Sequence, residues 1–169
     1  MNIKLCVRRE FAQINYPLVW MGGGAFFVLA LISSRIGGVA HRFWMPCSWF
    51  QSTFASCLVL VLFLLSAFAC GMVFGAMFAL RKGGQDHAQA RIAIIVIWMH
   101  MLTMFAYPLY SVCHAWITAE LLLLFALALC GWAIYLLFRV SWLCAGILIV
   151  HFIILLCAFG GLSSIIFMN

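Results

Sequence analysis

Residues 116–167 read WITAELLLLFALALCGWAIYLLF, then Arg139-Val140-Ser141, then WLCAGILIVHFIILLCAFGGLSSIIF. Two apolar runs of more than twenty residues are separated by a single arginine turn. Each is long enough to cross a hydrocarbon core of about 30 Å, which takes roughly 20 residues of helix. With so short a joint, the two must be antiparallel neighbours. Glu120 is the one acidic group in the pair, and Arg139 is the one basic group.

The rest of the chain follows the same pattern. Of 169 residues, 69% are hydrophobic and 7% charged. A soluble domain carries about 25% charged residues, so this chain could not cover a water-facing surface. Lipid is the solvent for most of it. Interruptions by charge, glycine and proline divide the sequence into five spans, at about 16–34, 51–80, 90–112, 116–138 and 142–167. The expected fold is an all-α, five-helix transmembrane bundle in one membrane domain covering 1–169, with function carried by loops and bundle interior.

Charge refines this picture. The net charge of +6 comes from basic residues scattered over loop ends, with no dense basic run. That excludes a nucleic-acid surface. Lys4, Arg8, Arg9, Arg81, Lys82, Arg91 and Arg139 fall on one side, and Arg35 and Arg42 on the other. The positive-inside rule then places the N-terminus in the cytoplasm. The first apolar run holds Gly22-Gly23-Gly24 and ends at Arg35 without a small-residue cleavage site, so it reads as a retained helix and not a signal peptide.

Ala67, Gly71, Gly75 and Ala79 form a small-residue ladder at spacing four in the second span. Such a ladder lets another helix approach closely, either within the bundle or in a homodimer. Cys57, Cys70, Cys130, Cys144 and Cys157 lie inside spans and read as small buried hydrophobes. Cys47 and Cys113 fall in outward loops, where an oxidising compartment would allow a disulfide.

Polar residues within the spans are the candidate functional groups. His100 and His151 sit about ten residues into parallel spans, so they are expected at similar depth. One reading has each hydrogen-bonding a neighbouring helix. Another has the two holding a haem axially, as in a redox protein. His100, Thr103 and Tyr107 share a helical face, and Tyr110 extends it outward. Glu120 begins the fourth span at about the same level, with a tyrosine hydroxyl or His114 as its expected partner. The loop Arg42-Phe43-Trp44-Met45-Pro46-Cys47-Ser48-Trp49-Phe50 reads as an aromatic lid or an interfacial anchor. No nucleophile triad, zinc-helix motif, paired carboxylates or phosphate loop is present, so nothing points to an enzyme.

Several of these segments resemble the TspO/MBR family, the tryptophan-rich sensory and translocator proteins. Trp44-Met45-Pro46-Cys47-Ser48-Trp49 is similar to that family's W-x-P-P-x-W loop, with Cys47 at the second proline. Thr103 through Tyr110 is similar to its N-x-x-W-S-P-L-F segment, Ala119-Glu120 to the start of its fourth helix, and Phe138-Arg139-Val140-Ser141 to its W-R-V-S turn. His151 falls on a family tyrosine, and Asn169 on a common final asparagine. Departures fall at pocket positions. Thr103 replaces asparagine, Ala106 replaces tryptophan, Val150 replaces proline, and Ala55 and Val59 replace a tryptophan and a tyrosine.

The resemblance implies a cavity inside the bundle that takes a flat hydrophobic ligand such as a porphyrin or sterol, in a protein that commonly dimerises. Trp44 and Trp49 would cover the ligand. Thr103, Tyr107, Tyr110 and His151 would line the pocket, with Glu120 near its mouth. The competing readings are the haem protein using His100 and His151, and an accessory subunit of a membrane complex with no small ligand.

Overall fold

A computed structural model of the chain describes residues 15–37, 53–82, 88–112 and 116–168. These form five helices and, among the described residues, no strand: α1 (Tyr16–Gly37), α2 (Thr53–Lys82), α3 (Ala88–Val112), α4 (Trp116–Leu137) and α5 (Trp142–Met168). All five contain a stretch long and apolar enough to cross a membrane. The protein is a multi-pass, all-α integral membrane protein. Helix is the form the bilayer demands, because a backbone in hydrocarbon must satisfy its own donors and acceptors.

Local chemistry explains the helix ends. The Asn15 carbonyl accepts from the amides of Leu18 and Val19, and Pro17 sits in the first turn, where a missing amide hydrogen leaves no hole in the ladder. Between α4 and α5 the chain turns over residues 138–140, and the Ser141 amide donates to the Leu137 carbonyl at 2.8 Å. The Ser141 hydroxyl then accepts from the Cys144 amide at 3.3 Å, an N-cap that starts α5 at once. Arg139 leaves the turn toward Tyr135, donating to its hydroxyl at 2.7 Å and lying over its ring.

Packing places the helices in a ring ordered α1, α2, α5, α4, α3, with α3 closing on α1. Contact between α2 and α3 runs across the ring. It divides the interior into a three-helix part (α1, α2, α3) and a four-helix part (α2, α3, α4, α5).

The three-helix part is held by close approach and by aromatics. A Cβ added at Gly71 would lie 2.4 Å from the Gly22 carbonyl oxygen, and one at Gly75 would lie 2.3 Å from that of Leu18. The middle of the small-residue ladder is therefore the seat of α1, with Gly22 facing it and Gly23 facing Phe68 and Met72 beside it. Phe26 stacks against Phe74, Trp98 and Phe105, and the Ser33 hydroxyl donates to the Phe105 carbonyl at 2.9 Å.

The outer surface is apolar. Trp20, Leu65, Ile95, Leu121, Trp132, Val150 and Ile153 are all more than half exposed. In water such a surface would drive aggregation; in a bilayer it is the lipid contact.

Candidate functional site

The four-helix part of the interior holds a polar cluster. Ser66 and Cys70 lie one turn apart on the same face of α2, His100 comes from α3, and His151 comes from α5. All four are buried, with His100 at 1% exposure and His151 at 2%. The two imidazoles meet edge to face, their centroids 5.0 Å apart, with His100 Nε2 at 2.7 Å from His151 Nε2. His100 Nδ1 lies 3.0 Å from the Ala126 carbonyl oxygen on α4. Ser66 Oγ bonds His151 Nδ1. One hydrogen-bonded chain thus ties four helices together at one depth.

The partners define where the hydrogens sit. A carbonyl oxygen only accepts, so His100 Nδ1–H donates to Ala126. Glu120 is the one acidic side chain among the described residues, and it is bonded elsewhere, so the cluster has no acidic counter-charge there. A charge in a span is expensive without a partner, which favours two neutral rings. His100 Nε2 is then an acceptor, His151 Nε2–H donates to it, and His151 Nδ1 accepts from the Ser66 hydroxyl. Every ring nitrogen has a partner, as a buried polar group requires.

As placed, the two rings do not have the spacing of an axial haem pair. An iron between the histidines would need two metal–nitrogen bonds of about 2 Å each, with a macrocycle lying between the rings. At 2.7 Å the two nitrogens are in direct contact. The alternative reading, in which each histidine bonds a neighbouring helix, describes the arrangement. Cys70 is buried in the apolar core, as expected, and its sulfur also stands with the histidine nitrogens. The three donor atoms lie within 4.8 Å of one another, and among the described residues they form a set that could hold a metal ion.

Of the other sequence candidates, Thr103 and Glu120 lie toward one end of the bundle. Thr103 is buried, and its hydroxyl donates back to the Met99 carbonyl at 2.9 Å. Glu120 Oε1 accepts from the Ser163 hydroxyl at 2.6 Å. Ser163 on α5 is therefore a partner of Glu120 among the described residues; the expected tyrosine hydroxyl and His114 lie outside the described set. Between this pair and the histidines, Met104, Leu123 and Leu155 form a second buried apolar cluster. Tyr107 and Tyr110 lie on the described backbone of α3, but their side chains are outside the described set. Trp44, Trp49, Cys47, Cys113 and His114 lie outside the described residues altogether.

The sequence reading missed Ser66 and Cys70. Their signal was faint: two small polar residues at spacing four in a long apolar span. Depth-matching α2 against α3 and α5 would have raised them.

No family model matches the chain, and neither a curated protein nor a solved structure matches it.

Proposed function

We propose that the protein is an intramembrane binding protein of the TspO type, which takes a flat hydrophobic ligand such as a porphyrin or sterol at one end of its bundle. The observation that carries this reading is the gathering of polar groups from three helices at that end. Thr103 on α3, Glu120 on α4 and Ser163 on α5 flank the buried apolar cluster of Met104, Leu123 and Leu155, with His151 on α5 at its inner side. Mostly apolar walls with a few placed polar groups are the composition of a small-molecule site.

In this reading each residue has a distinct part. Both nitrogens of His151 already have partners, so the ring acts as the floor and not as a ligand-facing hydrogen-bond donor. Met104 supplies an adaptable wall, being unbranched and polarizable. Glu120 keeps acceptor capacity beyond its bond to Ser163, because a carboxylate offers about four lone-pair sites. Trp44 and Trp49 close the mouth, and Tyr107 and Tyr110 extend the polar stripe toward it. The N-terminus is cytoplasmic, following the basic-residue bias, which puts the mouth on the opposite side. A homodimer, as the resemblance implies, would use a surface other than the one where α1 seats on Gly71 and Gly75.

The test is tryptophan fluorescence of the purified chain during titration with protoporphyrin. Saturable quenching is expected, weakened about tenfold or more by Trp44→Phe with Trp49→Phe, since a stacked aromatic contributes about 1–3 kcal/mol. Leu123→Trp, which fills the lining, should abolish it. Unsaturable quenching, or quenching indifferent to these changes, contradicts the proposal.

A further inference from the structure

We propose that Cys70, His100 and His151 form a binding site for one copper(I) ion in the middle of the membrane. The site shares His151 with the hydrophobic-ligand reading but does not depend on that reading.

The donor set comes first. One sulfur and two imidazole nitrogens converge within 4.8 Å, on three different helices, all buried. Thiolate ligands select soft ions such as copper(I), and two histidines with one cysteine make a trigonal site. With bonds near 2.0 Å to nitrogen and 2.3 Å to sulfur, a planar three-coordinate ion needs about 3.5 Å between the nitrogens and about 3.7 Å from each to the sulfur. The nitrogens stand 2.7 Å apart. Widening that gap by less than 1 Å through small ring rotations, and drawing the sulfur in from within 4.8 Å, would complete the geometry.

The outer contacts are also in place. Metal-binding histidines donate their other N–H to a carbonyl or a similar acceptor, which fixes the tautomer. His100 Nδ1–H already does so at Ala126, leaving Nε2 with its lone pair facing the cluster. His151 needs one change. Its proton moves from Nε2 to Nδ1 and donates to Ser66 Oγ, a hydroxyl that can serve as donor or acceptor. The ion thus takes the position of the hydrogen now shared by the two rings.

Charge decides which ion. Copper(I) enters, the Cys70 thiol loses its proton to solvent, and two Cu–N bonds and one Cu–S bond form. One positive charge comes in and one leaves, so the cluster stays neutral and no electron is transferred. Zinc(II) with the same ligands would leave a net positive charge. Buried charge without a partner is costly, and Glu120, the one described acidic residue, is engaged with Ser163.

The test uses the full chain in detergent micelles, anaerobically and with reductant, in competition with a chromogenic copper(I) chelator. One tightly bound copper per chain is expected, with one proton released per ion. Cys70→Ala, His100→Gln and His151→Gln should each weaken binding about a hundredfold or more, and Ser66→Ala about tenfold, the range for outer contacts. Cys157→Ser, at an exposed thiol apart from the cluster, should leave it unchanged. X-ray absorption on the unsubstituted protein, which does not depend on any variant folding, should give one sulfur and two nitrogens around copper. A sulfur-free shell, copper uptake equal in all variants, or tighter zinc than copper binding overturns the proposal.

Discussion

His100 Nε2 and His151 Nε2 stand 2.7 Å apart at the meeting point of α2, α3, α4 and α5, joined by a single hydrogen. This contact brings together residues 51 positions apart in the chain, and it is flanked by Ala126 on one side and Ser66 on the other. It sets the register of α5 against α3 in an interior that is largely apolar and only weakly directional.

Breaking that contact from one side should destabilise the bundle. His100→Ala leaves His151 Nε2–H without an acceptor, at about 1–3 kcal/mol for the unpaired group. In a double-substitution cycle with His151→Ala, a coupling of about 1 kcal/mol is expected, the scale of interhelical hydrogen bonds in membranes. Unfolding in mixed detergent micelles measures it. Zero coupling would show that the rings do not interact.

The seat of α1 on α2 tolerates no side chain. Gly75→Leu places atoms where the Leu18 carbonyl stands, since even a Cβ would approach it to 2.3 Å. Overpacking of this kind costs about 1–3 kcal/mol, and here the whole of α1 must shift. Gly24→Ala is the control, because nothing lies within 4 Å of its added Cβ. The expected result is a lowered thermal midpoint for the first variant and no change for the second.

Ser141 starts α5 through its cap on the Cys144 amide. Ser141→Ala should cost about 1 kcal/mol, and Ser141→Asp, which keeps an acceptor, should retain most of the stability. If the two variants unfold alike, the cap contributes nothing.

The Glu120–Ser163 bond closes the end of the bundle between α4 and α5. Ser163→Ala is expected to lower stability by about 1 kcal/mol in chains with Glu120 and by nothing further once Glu120→Ala is present. Additive losses would mean that the two side chains act separately.

The architecture was legible in the sequence because it follows from lipid. Spans expected at 116–138 and 142–167 match α4 and α5 closely, since a lone Arg139 between two apolar runs leaves one way to fold. The ladder at Gly71 and Gly75 was legible as a contact, although nothing in the sequence paired it with Gly22. The site was less legible. His100 and His151 stood out as polar groups in apolar spans, and their shared depth followed from counting residues. Their direct contact did not, because rotation of each helix about its axis depends on packing from several neighbours. Cys70 was hidden for a related reason: in an apolar span, cysteine has no periodic signature that separates a ligand from a filler.

The central claim is the hydrogen-bonded chain from Ser66 through His151 and His100 to Ala126. Nitrogen-15 NMR of histidine-labelled protein in lipid, with His100→Gln and His151→Gln for assignment, tests it most directly. The account predicts two neutral rings of opposite tautomer, protonated at Nδ1 in His100 and at Nε2 in His151, with a scalar coupling between their Nε2 nuclei. Two rings of the same tautomer, or an absent coupling between the two Nε2 nuclei, would contradict it.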